Sequence, residues 1–259
     1  PQGSVLGPML CLIFINDLPD CVENNCLLFA DDIKLIGSME HHMSLQRDID
    51  KVNEWVNRWD LSVNAEKSQH LTADETVSLS IAVDYQTRSN LPKCLSASDL
   101  GILTNASLLP SEQCFRAAKN ARREFYTMRR CFSKLTVKNF PLLYKTFVRP
   151  HLEYGVQAWA PYLVRDIKHL EDVQRQATRS VRGIRHLAYE DRLRRLNLFS
   201  MKRRRLRGDL IETFKIIRQI DRVDSEFFFR TATFIIFEVI PINVLNLVFL
   251  LETGYTASP

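Results

Sequence analysis

With 259 residues, 46% of them hydrophobic and 25% charged, the chain is long enough to bury a real core, and neither a disordered nor a fibrous composition fits it. Its six cysteines (Cys11, Cys21, Cys26, Cys94, Cys114 and Cys131) make no C-x-x-C pair, which sets aside zinc and a disulfide framework; no disulfide partner is expected. The net charge of +5 hides an asymmetry, because residues 1–110 hold 7 Lys+Arg against 15 Asp+Glu while residues 111–222 hold 27 against 11. Residues 223–259 hold 1 against 4. So positive a middle segment repels itself unless a polyanion answers it, and nucleic acid is the leading partner.

The chain opens on Pro1 with no signal-peptide pattern and reads from its first residues as a fragment of something longer. Gln2-Gly3-Ser4-Val5-Leu6-Gly7-Pro8 is a glycine-punctuated loop, and Pro8 suits the first turn of a helix over residues 9–18. Such a loop at a helix N-terminus can bring backbone close to a phosphate or a base pair. Residues 27–36 then set Asp31-Asp32 between two short apolar runs, which predicts a tight β-hairpin with acids at its tip and buried flanking strands. Adjacent carboxylates repel, so the tip calls for a cation; magnesium, a hard ion held by one or two carboxylates plus substrate phosphates, suits it. Asp-Asp is also ordinary turn chemistry, and the dipeptide alone does not decide between the two readings.

Residues 44–59 predict an amphipathic helix with Leu45, Ile49, Val52, Val56 and Trp59 on one face, and Trp55 and Trp59 in the core. Short strands are expected at 61–64 and 69–73, around a turn at Asn64-Ala65-Glu66-Lys67-Ser68. Period-two alternation over 77–83 predicts a half-buried strand.

From Ser111 the character changes to basic helices. The first, over 111–132, carries an apolar stripe of Cys114, Ala118, Ala121, Phe125, Met128 and Phe132, with Arg122, Arg123, Arg129 and Arg130 among its cations. Two shorter helices over 142–147 and 151–159 are expected to break at Pro141, Pro150 and Pro161. Another, over 165–182, buries Ile167, Leu170, Val173, Ala177 and Val181 and exposes Arg175 and Arg179. The last begins with Lys202-Arg203-Arg204-Arg205 and continues through Leu210, Phe214 and Ile217. One basic helix face is usually just solvated, but four in succession predict a track for a phosphate backbone. The apolar residues 227–251 are interrupted by Arg230, Glu238, Pro241, Asn243 and Asn246, long enough for a membrane span but poor in composition for one; a strand or helix packed on the helical part, or sequence read in a shifted frame at the end of a decayed element, is expected first.

In order, spacing and wording, the motifs at residues 2–8, Phe29-Ala30-Asp31-Asp32 and residues 64–68 resemble successive palm motifs of the reverse transcriptases of non-LTR (LINE-type) retrotransposons, the jockey-like group in particular. The resemblance extends through thumb and post-thumb segments at residues 148–154 and 170–179, and covers about residues 1–222. It implies an α+β fold: a partial polymerase palm, an antiparallel sheet with packed helices, over 1–108, then a basic all-helical thumb-like region over 109–222. The tail, 223–259, is left unassigned.

The resemblance also implies roles. Gln2, Gly3 and Ser4 would contact the incoming nucleotide and template base. Asp31 would ligate catalytic Mg2+, with Mn2+ as substitute, and Asp32 would support the site. Lys67 would sit near the leaving pyrophosphate, and Leu100 and Gly101 would form the primer-grip turn. The implied activity is RNA-directed DNA synthesis by two-metal nucleotidyl transfer, with an RNA template, a DNA primer and dNTPs as partners, in nucleus and cytoplasm. The family's other metal-binding aspartate lies on a strand upstream of the residue 2–8 loop, so the sequence predicts a fragment inactive by itself. A non-catalytic nucleic-acid-binding remnant and a tail-anchored membrane protein are the alternatives.

Overall fold

The computed structural model describes residues 6–38, 42–72, 76–82, 87–221, 223–225, 229 and 245–252. Gln2, Gly3 and Ser4 lie outside the described residues. The chain divides into two compact units: Pro1–Leu100, Thr104–Leu108 and Ile242–Pro259 make the first, Gly101–Leu103 and Leu109–Pro241 the second. The architecture is mixed α+β, a sheet with packed helices and a helical C-terminal region, consistent with a palm-plus-thumb-like polymerase fold.

In the first unit, helix α1 (Leu6–Phe14) leads through a 3-10 turn (Leu18–Cys21) into strands β1 (Asn25–Phe29) and β2 (Asp32–Gly37). The helix is shorter than predicted and starts earlier, and none of its residues is buried. Helix α2 (His42–Arg58) buries Leu45, Ile49, Val52, Trp55 and Val56 as its period requires. Trp59 departs from that face, at 45% exposed, though its ring packs edge-on against Phe14 at 5.0 Å. Trp55 is buried and its indole N–H donates to Asp17 at 3.2 Å.

Short strands follow: β3 (Ser62–Val63), β4 (Gln69–Leu71), β5 (Ser80–Ala82), β6 (Arg88–Asn90), β7 (Lys93–Cys94), β8 (Ser96–Asp99) and β9 (Ile102–Asn105). Val77, Leu79 and Ile81 are all buried, so the predicted alternation holds although only 80–82 pair as strand. The main sheet runs β1-β2-β10-β4-β7, where β10 (Leu245–Glu252) comes from the apolar tail. The tail's strand thus pairs in the first unit's sheet, with β2, β3 and β4, where the sequence predicted packing on the helical part.

The second unit is helical. Helix α3 (Ser111–Cys131) buries Cys114, Ala117, Ala118, Ala121, Phe125 and Met128. Helix α4 (Phe140–Leu143), a π turn (Tyr144–Val148), α5 (Pro150–Glu153) and α6 (Val156–Trp159) follow. Pro141 and Pro150 fall in the first turns of α4 and α5 rather than between helices, because a first-turn N–H needs no intrahelical partner. Helices α7 (Val164–Arg179), α8 (Tyr189–Leu196) and α9 (Met201–Ile217) complete it. A buried polar network ties three of these segments together. Gln174 accepts from the Tyr144 hydroxyl at 2.9 Å and donates to the Tyr189 hydroxyl and the Phe199 carbonyl, each at 3.0 Å.

Candidate active site

The acidic tip is built by the tightest reversal a hairpin allows. Phe29 and Asp32 are the last paired residues, leaving a two-residue loop of Ala30 and Asp31. Ala30 has φ +53°, the positive value that short hairpin loops need to match the strand twist and that a residue with a Cβ adopts at a cost. Asp31 is exposed at the tip and Asp32 is half-buried at the start of β2.

The flanking strands are not equally buried. Ile33 and Leu35 are fully buried, whereas Leu27 and Phe29 are 54% and 62% exposed, because β1 turns Cys26 and Leu28 to the core and the alternate residues outward.

Two further parts reach the tip electrostatically. Burial, then the charges of Asp31 and Asp99, push the Asp32 carboxyl above its ordinary pKa, and the Lys67 ammonium pulls it down. Lys67 stands on the turn before β4, where the Asn64 side-chain carbonyl accepts from the Lys67 N–H at 3.1 Å. The Asn64 backbone carbonyl accepts from Ser68 N and Ser68 Oγ, at 3.0 and 2.7 Å. Lys34 on β2 is ion-paired to Asp99, Nζ to Oδ2 at 2.6 Å. Asp99 immediately precedes Leu100 and Gly101, whose φ values of +45° and +81° form a two-residue turn between β8 and β9. The pairing of Lys34 with Asp99, the first residue of the Asp99-Leu100-Gly101-Ile102 stretch that resembles a primer grip, was not foreseen from the sequence. Their 65-residue separation leaves no local pattern, although the unlike charge beside an acidic tip was the available signal.

Two carboxylates in a row at a solvent-reachable tip suit a divalent cation with phosphate ligands, and the Asp31 and Asp99 charges, which add to burial in pushing Asp32 up, are repulsion such an ion would offset. Among the described residues no group of three or more His, Cys, Asp or Glu side chains could hold a metal ion.

In the second unit Arg123, Arg129, Arg130, Arg175, Arg179, Lys202 and Arg203 are exposed and Arg122 is half-buried. Several guanidinium groups sit over aromatic rings: Arg175 over Tyr189 and Arg203 over Phe199, each at 4.7 Å, and Arg129 over Phe125 at 5.8 Å. Two of the candidate cations depart from the expected exposed face. Arg204 forks onto the Glu153 carboxylate, Nη2 to Oε2 at 3.0 Å with Nε on Oε1. Arg205 is 6% exposed, its pKa pulled down by burial and held up by Glu171, Cys114, Asp209 and Glu153 in turn. Helical phase explains both, since α9 lays Met201 and Arg205 on the buried face. Among the described residues no helix is long and apolar enough to cross a membrane.

Residues 1–102 match the family described as reverse transcriptase (RNA-dependent DNA polymerase). Among curated proteins, the chain is 27% identical over 195 residues to the probable RNA-directed DNA polymerase from transposon X-element of Drosophila melanogaster, covering 71% of this chain and 21% of that protein. It is 27% identical over 198 residues to the RNA-directed DNA polymerase from mobile element jockey of Drosophila funebris, covering 71% of this chain and 22% of that protein. The jockey polymerase of Drosophila melanogaster is 26% identical over 201 residues, with coverage of 71% and 22%. The chain thus spans about one fifth of the length of the curated relatives it matches. No solved structure matches it significantly. The chain is thus similar, over residues 1–102, to the reverse transcriptase family, and over 71% of its length to the polymerases of the X-element and jockey transposons.

Proposed function

We propose that these residues are palm and thumb of an RNA-directed DNA polymerase, which in its full-length parent copies an RNA template onto a DNA primer. The observation that carries this reading is the hairpin: Asp31 exposed at a two-residue tip, Asp32 beside it, inside the segment that matches the reverse transcriptase family. In this reading Asp31 would hold Mg2+, or Mn2+ in its place, with Asp32 in support. The ion would supply charge neutralisation for the nucleotide phosphates. Lys67 steadies charge developing on the departing pyrophosphate, and Leu100 and Gly101 hold the primer end. Gln2, Gly3 and Ser4 meet the nucleotide and template base. The exposed arginines of α3, α7 and α9 grip phosphates of the template–primer duplex, and the proposed site of the work is the nucleus and cytoplasm.

Two-metal transfer draws carboxylates from more than one strand, and the hairpin supplies at most half of such a set. The 259 residues taken alone therefore bind template–primer without extending it. The experiment compares nucleotide incorporation on a primed RNA template by the chain and by its fusion to the upstream segment of a related element. The fusion is expected to extend the primer and to lose extension on Asp31→Ala. Extension by the unmodified chain overturns the inactivity; a fusion indifferent to Asp31→Ala overturns the site. A fusion that binds but never extends leaves a non-catalytic nucleic-acid binder as the better reading.

A further inference from the structure

The apolar tail, which the polymerase reading leaves without a task, supplies the strand that joins the acidic hairpin to the rest of its sheet. In the strand order β1-β2-β10-β4-β7, removing β10 leaves β1–β2 on one side and β4–β7 on the other, with no strand between them. β10 runs antiparallel to both neighbours. Leu245 to Leu250 pair with Gly37 to Asp32 of β2, while Asn246, Leu247 and Val248 pair with Leu71, His70 and Gln69 of β4. Its last residues, Leu251 and Glu252, pair with Val63 and Ser62 of β3.

The sequence suits that slot. Residues 245–252 read Leu-Asn-Leu-Val-Phe-Leu-Leu-Glu, a mostly apolar run of strand length, too short and too interrupted to span a bilayer as a helix. Alternate residues among its partners are interior: Ile33, Leu35 and His70 are fully buried and Leu71 is 3% exposed, while Asp32, Lys34, Ile36 and Gln69 are half-buried. Without an occupant, β2 and β4 would each present a row of unpaired N–H and C=O groups, the kind of edge that recruits other chains. Distance along the chain is no obstacle, since the entropic cost of closing a loop grows only with the logarithm of its length. The ladder reaches the acidic tip, because Leu250 pairs with Asp32.

We propose that the gap between β2 and β4 is an acceptor groove for one extended apolar strand, antiparallel to both, and that residues 245–252 of this same chain are its occupant. The C-terminal strand thereby fixes the Asp31–Asp32 hairpin in register with the rest of the sheet. This assignment stands apart from the polymerase reading, for it concerns pairing and not chemistry.

Amide hydrogen exchange on the full chain tests it. Residues 245–252 are expected to exchange slowly, in step with 33–36 and 69–71. Val248 is paired with Lys34 on one side and Gln69 on the other, so Val248→Pro is expected to speed exchange by about a hundredfold in all three segments together. Ala257→Pro, beyond the strand, should change none of them. A lysine-flanked peptide of the 245–252 sequence, added to the Val248→Pro chain, should restore protection to 33–36 and 69–71. Free-peptide exchange rates at 245–252 in the unaltered chain overturn the proposal, and this measurement decides even if the proline variant does not fold. A folded Val248→Pro chain whose changes stay within the tail, or that the peptide does not protect, overturns it as well.

Discussion

Lys34 Nζ lies 2.6 Å from Asp99 Oδ2, with the two side chains only 21% and 25% exposed. The pair links β2, just past the acidic tip, to the residue before the Leu100-Gly101 turn, so the candidate metal-binding and primer-holding parts share one ionic contact. Lys34 offsets part of the Asp99 charge, and what remains still adds to the repulsion on Asp32.

The pair therefore sets the charge of the site more than its stability. Asp99→Asn should move the Asp32 carboxyl down towards its ordinary value, because one repelling charge is gone. Lys34→Met should move it further up, since Asp99 is then unanswered. Either change should cost no more than about 1 kcal/mol of stability, as partly exposed pairs contribute little. Carboxyl carbon titration by NMR checks this. Shifts in the same direction for the two variants refute the arrangement.

His70 gives the first unit an acid limit. It is fully buried on β4, both ring nitrogens lack a hydrogen-bond partner among the described residues, and burial first, then the Lys93 charge, pulls its pKa down to about 4. The unfolded chain takes up this proton near pH 6.5, whereas the folded chain refuses it until about pH 4. Stability is thus fully present above pH 6.5 and is lost as pH falls from 6.5 to about 4, by roughly 3 kcal/mol over the window. Denaturant titrations at pH 7 and pH 4.5 should show a smaller difference in His70→Leu than in the unaltered chain. Equal differences would remove His70 as the cause.

The sequence made α2 legible because Leu45, Ile49, Val52 and Val56 repeat at helical spacing, and the hairpin legible because two apolar runs flank Asp31-Asp32. What escaped it depends on partners far along the chain. Asp48 lies fully buried in the middle of α2, a place no propensity favours. Its carboxylate accepts from Glu23 N at 2.8 Å, Asn24 N at 2.9 Å and Asn24 Nδ2 at 2.7 Å, which docks the entry to β1 on the helix. On α9 the simple apolar reading inverts: Leu206, Leu210 and Phe214 are more than half exposed and Arg205 is buried. Carboxylates at Glu153, Glu171 and Asp209 make that possible, and none of them belongs to the basic run that drew attention to the helix.

Gln174 holds the second unit's polar interior. Gln174→Leu keeps the volume and strands the Tyr144 hydroxyl, the Phe199 carbonyl and part of the Tyr189 hydroxyl's bonding in a dry core. A loss of about 2–4 kcal/mol is expected, against about 1 kcal/mol for Tyr144→Phe, which removes a donor and leaves Gln174 with its other bonds. Thermal unfolding of the two variants and their double mutant measures it. A Gln174→Leu chain as stable as the original would show that the network contributes nothing net.

The basic run of α9 separates binding from folding within four consecutive residues. Lys202 and Arg203 are exposed, Arg204 is engaged with Glu153, and Arg205 is buried. If the exposed cations hold phosphates, replacing Arg123, Arg129, Arg175 or Arg203 by Gln should weaken RNA and DNA alike. Each loss should lower the slope of log affinity against log salt by about 0.7–0.9. Arg205→Met should leave that slope unchanged, because its guanidinium reaches no solvent, and should alter the melting temperature instead. Arg204→Gln should do the same through the loss of its fork on Glu153, leaving that half-buried carboxylate with Arg149 as its ion-pair partner. Fluorescence anisotropy with labelled single-stranded RNA, from low to physiological salt, gives the slopes, and calorimetry gives the stabilities. A steep slope that survives all four exposed substitutions, or that collapses on Arg205→Met while the fold holds, would place the nucleic-acid track elsewhere on the chain.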